Sequence, residues 1–168
     1  MKTITAIIGL WIILSNVALA QVPDSIPRFK KFLKMENNAP FTYDSLDRKK
    51  TQVFVLFDPG CGHCQELGQG IGNILDSISK DVDIFFVSLQ EKALVDGFVN
   101  MFAKKLKNHP QVHFLYDPEG EFILLFDPKN FPSTYVYSKK KFKLVQFFDG
   151  DNKAIKILPF LKKTVSDK

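Results

Sequence analysis

The stretch VFVLFDPGCGHCQELGQGIGNIL, residues 53–75, decides the fold. With Thr51 and Gln52 ahead of it, residues 51–57 (TQVFVLF) form a continuous run of apolar, mostly β-favouring residues, the pattern of a strand buried on both faces. Asp58-Pro59-Gly60 punctuates the run. From Cys61 the period changes. Cys64, Leu67, Ile71, Ile74 or Leu75, and Ile78 recur at helical spacing through Lys80. Gly68, Gly70 and Gly72 are expected to weaken that helix by about 1 kcal/mol each relative to Ala. A buried strand thus turns through Asp-Pro-Gly into a helix that opens with Cys61 and Cys64. The pair is open to three readings: a redox couple, a metal site or a small staple.

The placement favours redox chemistry. At a strand-to-helix turn the first free backbone N–H groups and the positive end of the helix dipole point at the Cys61 sulfur, which favours a thiolate there. The thiolate is the nucleophile in disulfide exchange, and Cys64, one turn along, is placed to attack the mixed disulfide and release the reduced partner. His63 lies between them; an imidazole there can donate to the Cys61 thiolate or, when protonated, pair with it, which raises the potential of the couple. The bland reading of His63 is a solvent-facing residue of the first helical turn. A staple between residues this close in sequence constrains little of the unfolded chain. Haem attachment wants His directly after the second Cys, and position 65 is Gln. A structural zinc site wants two further ligands, yet the only histidines are His63, His109 and His113 and no second cysteine pair exists. That leaves, on the metal side, only capture of copper or zinc by Cys61, Cys64 and His63.

Outward from this centre, residues 82–89 (VDIFFVSL) predict a second buried strand and residues 91–108 a helix with Leu94, Val95, Phe98, Phe102 and Leu106 on one face. His109-Pro110 stops it. Residues 112–116 predict a short strand, Asp117-Pro118-Glu119-Gly120 a turn, and residues 121–126 a short helical or irregular piece. Residues 134–137 and 143–148 predict a hairpin, and Asp151 a cap for a last helix holding Ile155, Leu158 and Leu161, bent or shortened by Pro159. Towards the start, Asp24-Ser25-Ile26-Pro27 predicts a capped helix carrying Phe29, Phe32 and Leu33 to about Met35, and residues 41–46 a short strand or extended segment. The order β-α-β-α-β-turn-β-β-α gives an α/β fold with a mixed central sheet flanked by helices. No internal repeat or low-complexity linker interrupts it.

The first residues, MKTITAIIGLWIILSNVALAQ, combine Lys2, an apolar run over residues 4–14 and Ala18-Leu19-Ala20, the pattern of a secretory signal peptide cut after Ala20. Ser15 and Asn16 interrupt the run before the roughly 20 apolar residues of a spanning helix, so no stable membrane insertion is expected after cleavage. Residues 21–168, or 168 − 20 = 148 residues, suit one domain. The net charge of +5 is spread over pairs and triplets such as Arg48-Lys49-Lys50 and Lys139-Lys140-Lys141, with acidic residues between them. No long basic arm exists, and nucleic acid is not an expected partner.

The strand followed by Phe57-Asp58-Pro59-Gly60-Cys61-Gly62-His63-Cys64-Gln65 and a helix resembles the active site of the thioredoxin superfamily. The Cys-Gly-His-Cys tetrad is like that of protein disulfide isomerase domains, and the wider layout is similar to the exported TlpA/ResA-like bacterial thioredoxins. Ala39-Pro40-Phe41 through Lys50 resembles their lead-in segment, residues 91–108 their inserted helix, Asp117-Pro118-Glu119-Gly120 their turn, and Phe131-Pro132-Ser133-Thr134 their cis-proline motif. The match covers about residues 39–161, and the domain core is taken as about residues 39–162. The resemblance implies a cis Pro132 facing the disulfide, a substrate groove bounded by Gly62, Phe131 and Pro132, and no bound cofactor. It also implies protein thiols or disulfides as substrates and a membrane-embedded protein as electron donor, in the periplasm. Two departures stand out. The family usually carries Trp immediately before the first Cys, where this chain has Gly60, and often a buried acid six positions before it, where this chain has Val55. The Pro-x-x-x-Thr-x-x-Cys pattern of peroxiredoxins is absent around both cysteines. His63 argues for oxidation or isomerisation, the TlpA/ResA-like layout for reduction, which is slightly favoured. The other class of function is a redox-inert thioredoxin-fold binding module with an aromatic surface; 17 Phe make it worth weighing, though Phe54, Phe85 and Phe86 fall in predicted strands.

Overall fold

The structure is a computed structural model and describes residues 22–162. The predicted export signal, residues 1–20, lies outside them. At its centre is β3 (Thr51–Leu56), with every residue buried. β4 (Val82–Ser88) and β5 (Val112–Tyr116) follow in parallel register on one side of it. β6 (Ser133–Tyr137) and β7 (Leu144–Asp149) pair antiparallel on the other side. β1 (Phe32–Lys34) and β2 (Pro40–Phe41) continue the sheet beyond β5, giving seven strands in the order β2-β1-β5-β4-β3-β6-β7. The mixed sheet expected from the sequence is therefore present, and two N-terminal strands extend it.

Alternation along the strands sorts the core into two layers. Val53, Val55, Ile84, Phe86 and Val136 point to one face, against α1 (Gly62–Ile74), α2 (Lys92–Met101) and α4 (Ala154–Leu161). Phe54, Leu56, Phe85, Val87, Tyr135 and Tyr137 point to the other, against α3 (Glu121–Phe126) and the N-terminal segment through Ile26, Phe29 and Phe32. This second layer is aromatic. The rings of Phe29, Phe85, Phe122, Phe126 and Tyr137 surround that of Phe54 at centroid separations of 5.1–6.4 Å, with stacked, tilted and edge-on geometries. Most of the chain's phenylalanine is thus spent inside the molecule, as the strand positions of Phe54, Phe85 and Phe86 predicted.

Several elements differ from their sequence-based expectation. Residues 24–35 form no helix: Phe29 and Phe32 are fully buried, and β1 adds to the free edge of β5 with Leu33 opposite Tyr116, so pairing to an open strand edge overrides a spacing that reads as helical. The segment after β2 is a 3-10 turn, Tyr43–Ser45, in which the Thr42 N–H donates to Ser45 Oγ. The helix predicted over 91–108 breaks at Ala103, and Lys104–Leu106 form a separate 3-10 turn that seats Leu106 in the core. α1 gives way after Ile74 to another, Leu75–Ser77. In α4, Ile155 faces out while Ala154, Ile157, Leu158 and Leu161 are buried, and the N-cap is Lys153, whose N–H donates to Asp151 two residues back.

The glycines of α1 have a packing role that propensity alone misses. A Cβ on Gly70 would stand 2.9 Å from the Cβ of Ala154, and one on Gly68 would stand 2.5 Å from the Phe98 ring. Their absence lets α4 and α2 approach α1 closely, and so fixes the helix that carries the cysteines.

Candidate active site

Cys61 is the N-cap of α1, with extended backbone (φ −80°, ψ 121°), and Cys64 lies in the first turn. The Cys61 N–H donates to the Asp58 carbonyl at 3.1 Å and the Cys61 carbonyl accepts from Gln65 N–H at 3.0 Å, so the turn out of β3 locks the first sulfur at the head of the helix. Gln65 Nε2 donates to the Pro59 carbonyl at 2.9 Å and ties the helix back to the loop. Both thiols are free. Cys61 is half-buried, whereas Cys64 is 1% exposed among Phe57, Leu67 and the other residues of the α1-side core. Burial pushes the Cys64 thiol up to about 12, helped by the Cys61 sulfur hydrogen-bonded to it and the charge of Asp58, and opposed by the Asp58 N–H that donates to Cys64 Sγ at 3.4 Å. One sulfur faces solvent. The other is a protonated, dry thiol one turn behind it.

His63 and Gly62 are exposed on the first turn beside this pair. The peptide bond Phe131-Pro132 is cis, as the resemblance implied. The β3–β6 register sets Ser133 opposite Leu56, so Pro132 leaves the sheet at the same end as the Cys61 loop. Phe131 is 39% exposed there. No local motif signals what holds this loop. Asp149 on β7 accepts from the N–H groups of Lys129 and Asn130, from Asn130 Nδ2 at 2.9 Å and from Ser133 Oγ, and the Gly150 N–H donates to the Pro132 carbonyl at 2.8 Å. Partial burial works against the Asp149 charge, yet the bonds from Ser133 and Asn130 hold its carboxyl below the usual carboxylate range.

Val55, the position of the family's buried acid, is fully buried on the α1 side of β3, opposite Thr134. Thr134 is also fully buried, and its hydroxyl has no hydrogen-bond partner. Asp58 is the carboxylate nearer the cysteines. Its Oδ1 accepts from Gly60 N–H at 2.7 Å and its Oδ2 from Gln90 Nε2 at 3.3 Å. Gln90 follows β4 and sits far from Asp58 in sequence, so no local motif could have flagged it. Among the described residues no group of three His, Cys, Asp or Glu side chains converges on a point that would hold a metal ion, and no helix is long and apolar enough to cross a membrane. His109 and His113 lie away from the cysteines. His113 sits on β5, its Nε2 3.5 Å from Asp83.

No protein-family model and no curated protein matches the sequence. Solved structures do match in shape. The DsbF protein of Mycobacterium tuberculosis, determined in mixed oxidised and reduced forms, superposes with a TM-score of 0.65 at 18% identity over 83% of this chain and 96% of its own. A secreted disulfide oxidoreductase of the same organism, homologous to Escherichia coli DsbE, gives 0.59 at 19% identity over 76% of this chain and 87% of its own. The bacterioferritin comigratory protein of Xanthomonas campestris, described through its alkyl peroxide reduction activity, gives 0.60 at 17% identity over 79% and 88%. At such identities the likeness establishes the fold. The chain has a thioredoxin-like fold, with its two cysteines at the head of α1.

Proposed function

We propose that this chain is an exported thiol-disulfide oxidoreductase of the TlpA/ResA-like kind, working as a reductase of protein disulfides. Cys61 is the nucleophile, Cys64 the resolving thiol, His63 a tuner of the couple, and Gly62, Phe131 and Pro132 border the groove in which an extended substrate segment lies. The observation that carries the reading is the contrast between the two sulfurs: Cys61 half-exposed at the positive end of α1, Cys64 buried and protonated one turn behind. That contrast supplies an attacking sulfur and a reserve sulfur that stays out of the first step. The reducing direction rests on the resemblance of the wider layout to the TlpA/ResA-like proteins, against which His63 beside Cys61 pulls towards oxidation. The likeness in fold to DsbF and to the secreted mycobacterial disulfide oxidoreductase supports thiol-disulfide chemistry and leaves its direction open.

In this reading residues 1–20 are a leader removed on export, residues 21–168 are one thioredoxin-like domain in the periplasm, and electrons arrive from a membrane-embedded thiol protein. The test is a Cys64→Ser variant expressed with its leader. An oxidoreductase accumulates mixed disulfides with periplasmic proteins through Cys61, which dithiothreitol releases and which a Cys61→Ser, Cys64→Ser double variant lacks. A redox-inert binding module traps nothing covalently.

A further inference from the structure

We propose that Asp58 takes the proton from the Cys64 thiol in the step that releases substrate. The proposal rests on the oxidoreductase reading above and assigns that reaction a further residue. Cys64 must become a thiolate to attack, and in its apolar surroundings it needs a base. On the α1 side of β3 the neighbouring positions offer none: Val55 is apolar, and Thr134, opposite it, carries a hydroxyl that cannot accept a proton at neutral pH. Two titratable residues stand against Cys64: Cys61, on its own helix, and Asp58, on the loop from β3, whose N–H reaches Cys64 Sγ. During release Cys61 is already tied up in the mixed disulfide. Asp58 is left.

The local geometry suits that role. The Asp58 N–H donates to Cys64 Sγ at 3.4 Å and so supports the negative charge that appears on the sulfur. The Asp58 carboxylate is held from two sides, by Gly60 N–H at 2.7 Å and by Gln90 Nε2 at 3.3 Å, and Gln90 is itself anchored by its own N–H to Ser88 Oγ at 3.1 Å. Asp58 is only partly buried, so a proton taken from the dry thiol has a way out to water. A Cβ on Gly60 would stand 3.2 Å from Asp58 Oδ1. A side chain at position 60 would crowd the carboxylate by a few tenths of an ångström.

The substrate is joined to Cys61 through a disulfide. Asp58 accepts the Cys64 proton, the Cys64 thiolate attacks Cys61 Sγ, the Cys61–Cys64 bond forms and the bond from Cys61 to substrate breaks. The substrate leaves as a thiolate that takes up a proton from water, and Asp58 returns its own proton to water. The cysteine pair is oxidised by two electrons and the substrate disulfide is reduced.

The experiment is a single turnover of the reduced protein against oxidised glutathione, quenched with acid, with the Cys61–glutathione mixed disulfide followed by intact mass across pH. Asp58→Asn keeps the shape, an acceptor for Gly60 N–H and a polar partner for Gln90, and removes the base. It is expected to lengthen the lifetime of the mixed disulfide on the order of 10²-fold at pH 7, the usual scale of general base catalysis, and to replace the wild-type pH profile by one that rises with hydroxide alone. Asp58→Glu restores part of the rate. A lifetime in Asp58→Asn within twofold of wild type, with the same pH profile, overturns the proposal and leaves the oxidoreductase reading standing. A wild-type protein that forms no mixed disulfide and exchanges nothing overturns both.

Discussion

Asp83 shows what a single buried charge does in this molecule. It lies on β4, its side chain 8% exposed, with Lys50 Nζ at 2.8 Å and His113 Nε2 at 3.5 Å from the same carboxylate oxygen. Burial alone would raise its pKa, but the bonds from His113 and Lys50 outweigh it and hold the carboxyl below the usual carboxylate range. The basic run Arg48-Lys49-Lys50 is therefore not wholly a solvated turn, because Lys50 turns in to meet this charge. A depressed folded-state pKa means that ionised Asp83 adds stability above the unfolded-state value of about 4, and that the contribution is lost as pH falls through the folded value. Asp83→Asn is expected to cost about 1–3 kcal/mol at pH 7 and to flatten the acid limb. Urea midpoints measured between about pH 6 and pH 2 check this; parallel curves for variant and wild type would show that the charge contributes nothing.

At the scale of elements, the placement of the cysteines depends on how closely α1 and α4 approach. Gly70 and Ala154 set that distance, and the Ala154 Cβ, fixed to its backbone, cannot swing away. Gly70→Ala would gain about 1 kcal/mol of helix propensity, yet overpacking typically costs about 1–3 kcal/mol, so denaturant unfolding is expected to show a net loss of stability. Gly62→Ala is the control, because nothing lies within 4 Å of a Cβ at that position. A gain in both variants would show that the helices separate freely. The elements also explain what was legible beforehand. β3, β4 and β5 are continuous apolar runs, and α1 follows a period change, so local pattern and tertiary role agree there. β1 could not be read because Phe29, Phe32 and Leu33 fit a helical stripe; its conformation is decided by the open edge of β5, far along the chain. Cys61, Gly62, His63 and Cys64 were legible because they are contiguous. The Asp58–Gln90 contact and the Asp149 bracket of the Phe131-Pro132 loop were not, since each joins segments that meet only in the folded sheet. Whether Asp58 turned towards the cysteines needed the fold to answer.

Across the whole molecule, the two faces of the sheet divide the work. One is an aromatic layer sealed by α3 and the N-terminal segment, where Glu121 accepts from the backbone N–H groups of Lys30 and Lys31. The other carries α1, and on it a reactive pair whose members differ in exposure. That difference is the basis of the proposed oxidoreductase, and the property that tests it and its direction most directly is the reduction potential of the Cys61/Cys64 couple, measured by equilibration against dithiothreitol and glutathione buffers. The account predicts ready exchange and a potential on the reducing side, near the roughly −270 mV of thioredoxin. A value of about −180 to −120 mV would reverse the direction to oxidation or isomerisation. A pair that exchanges with neither buffer over hours would contradict the central claim.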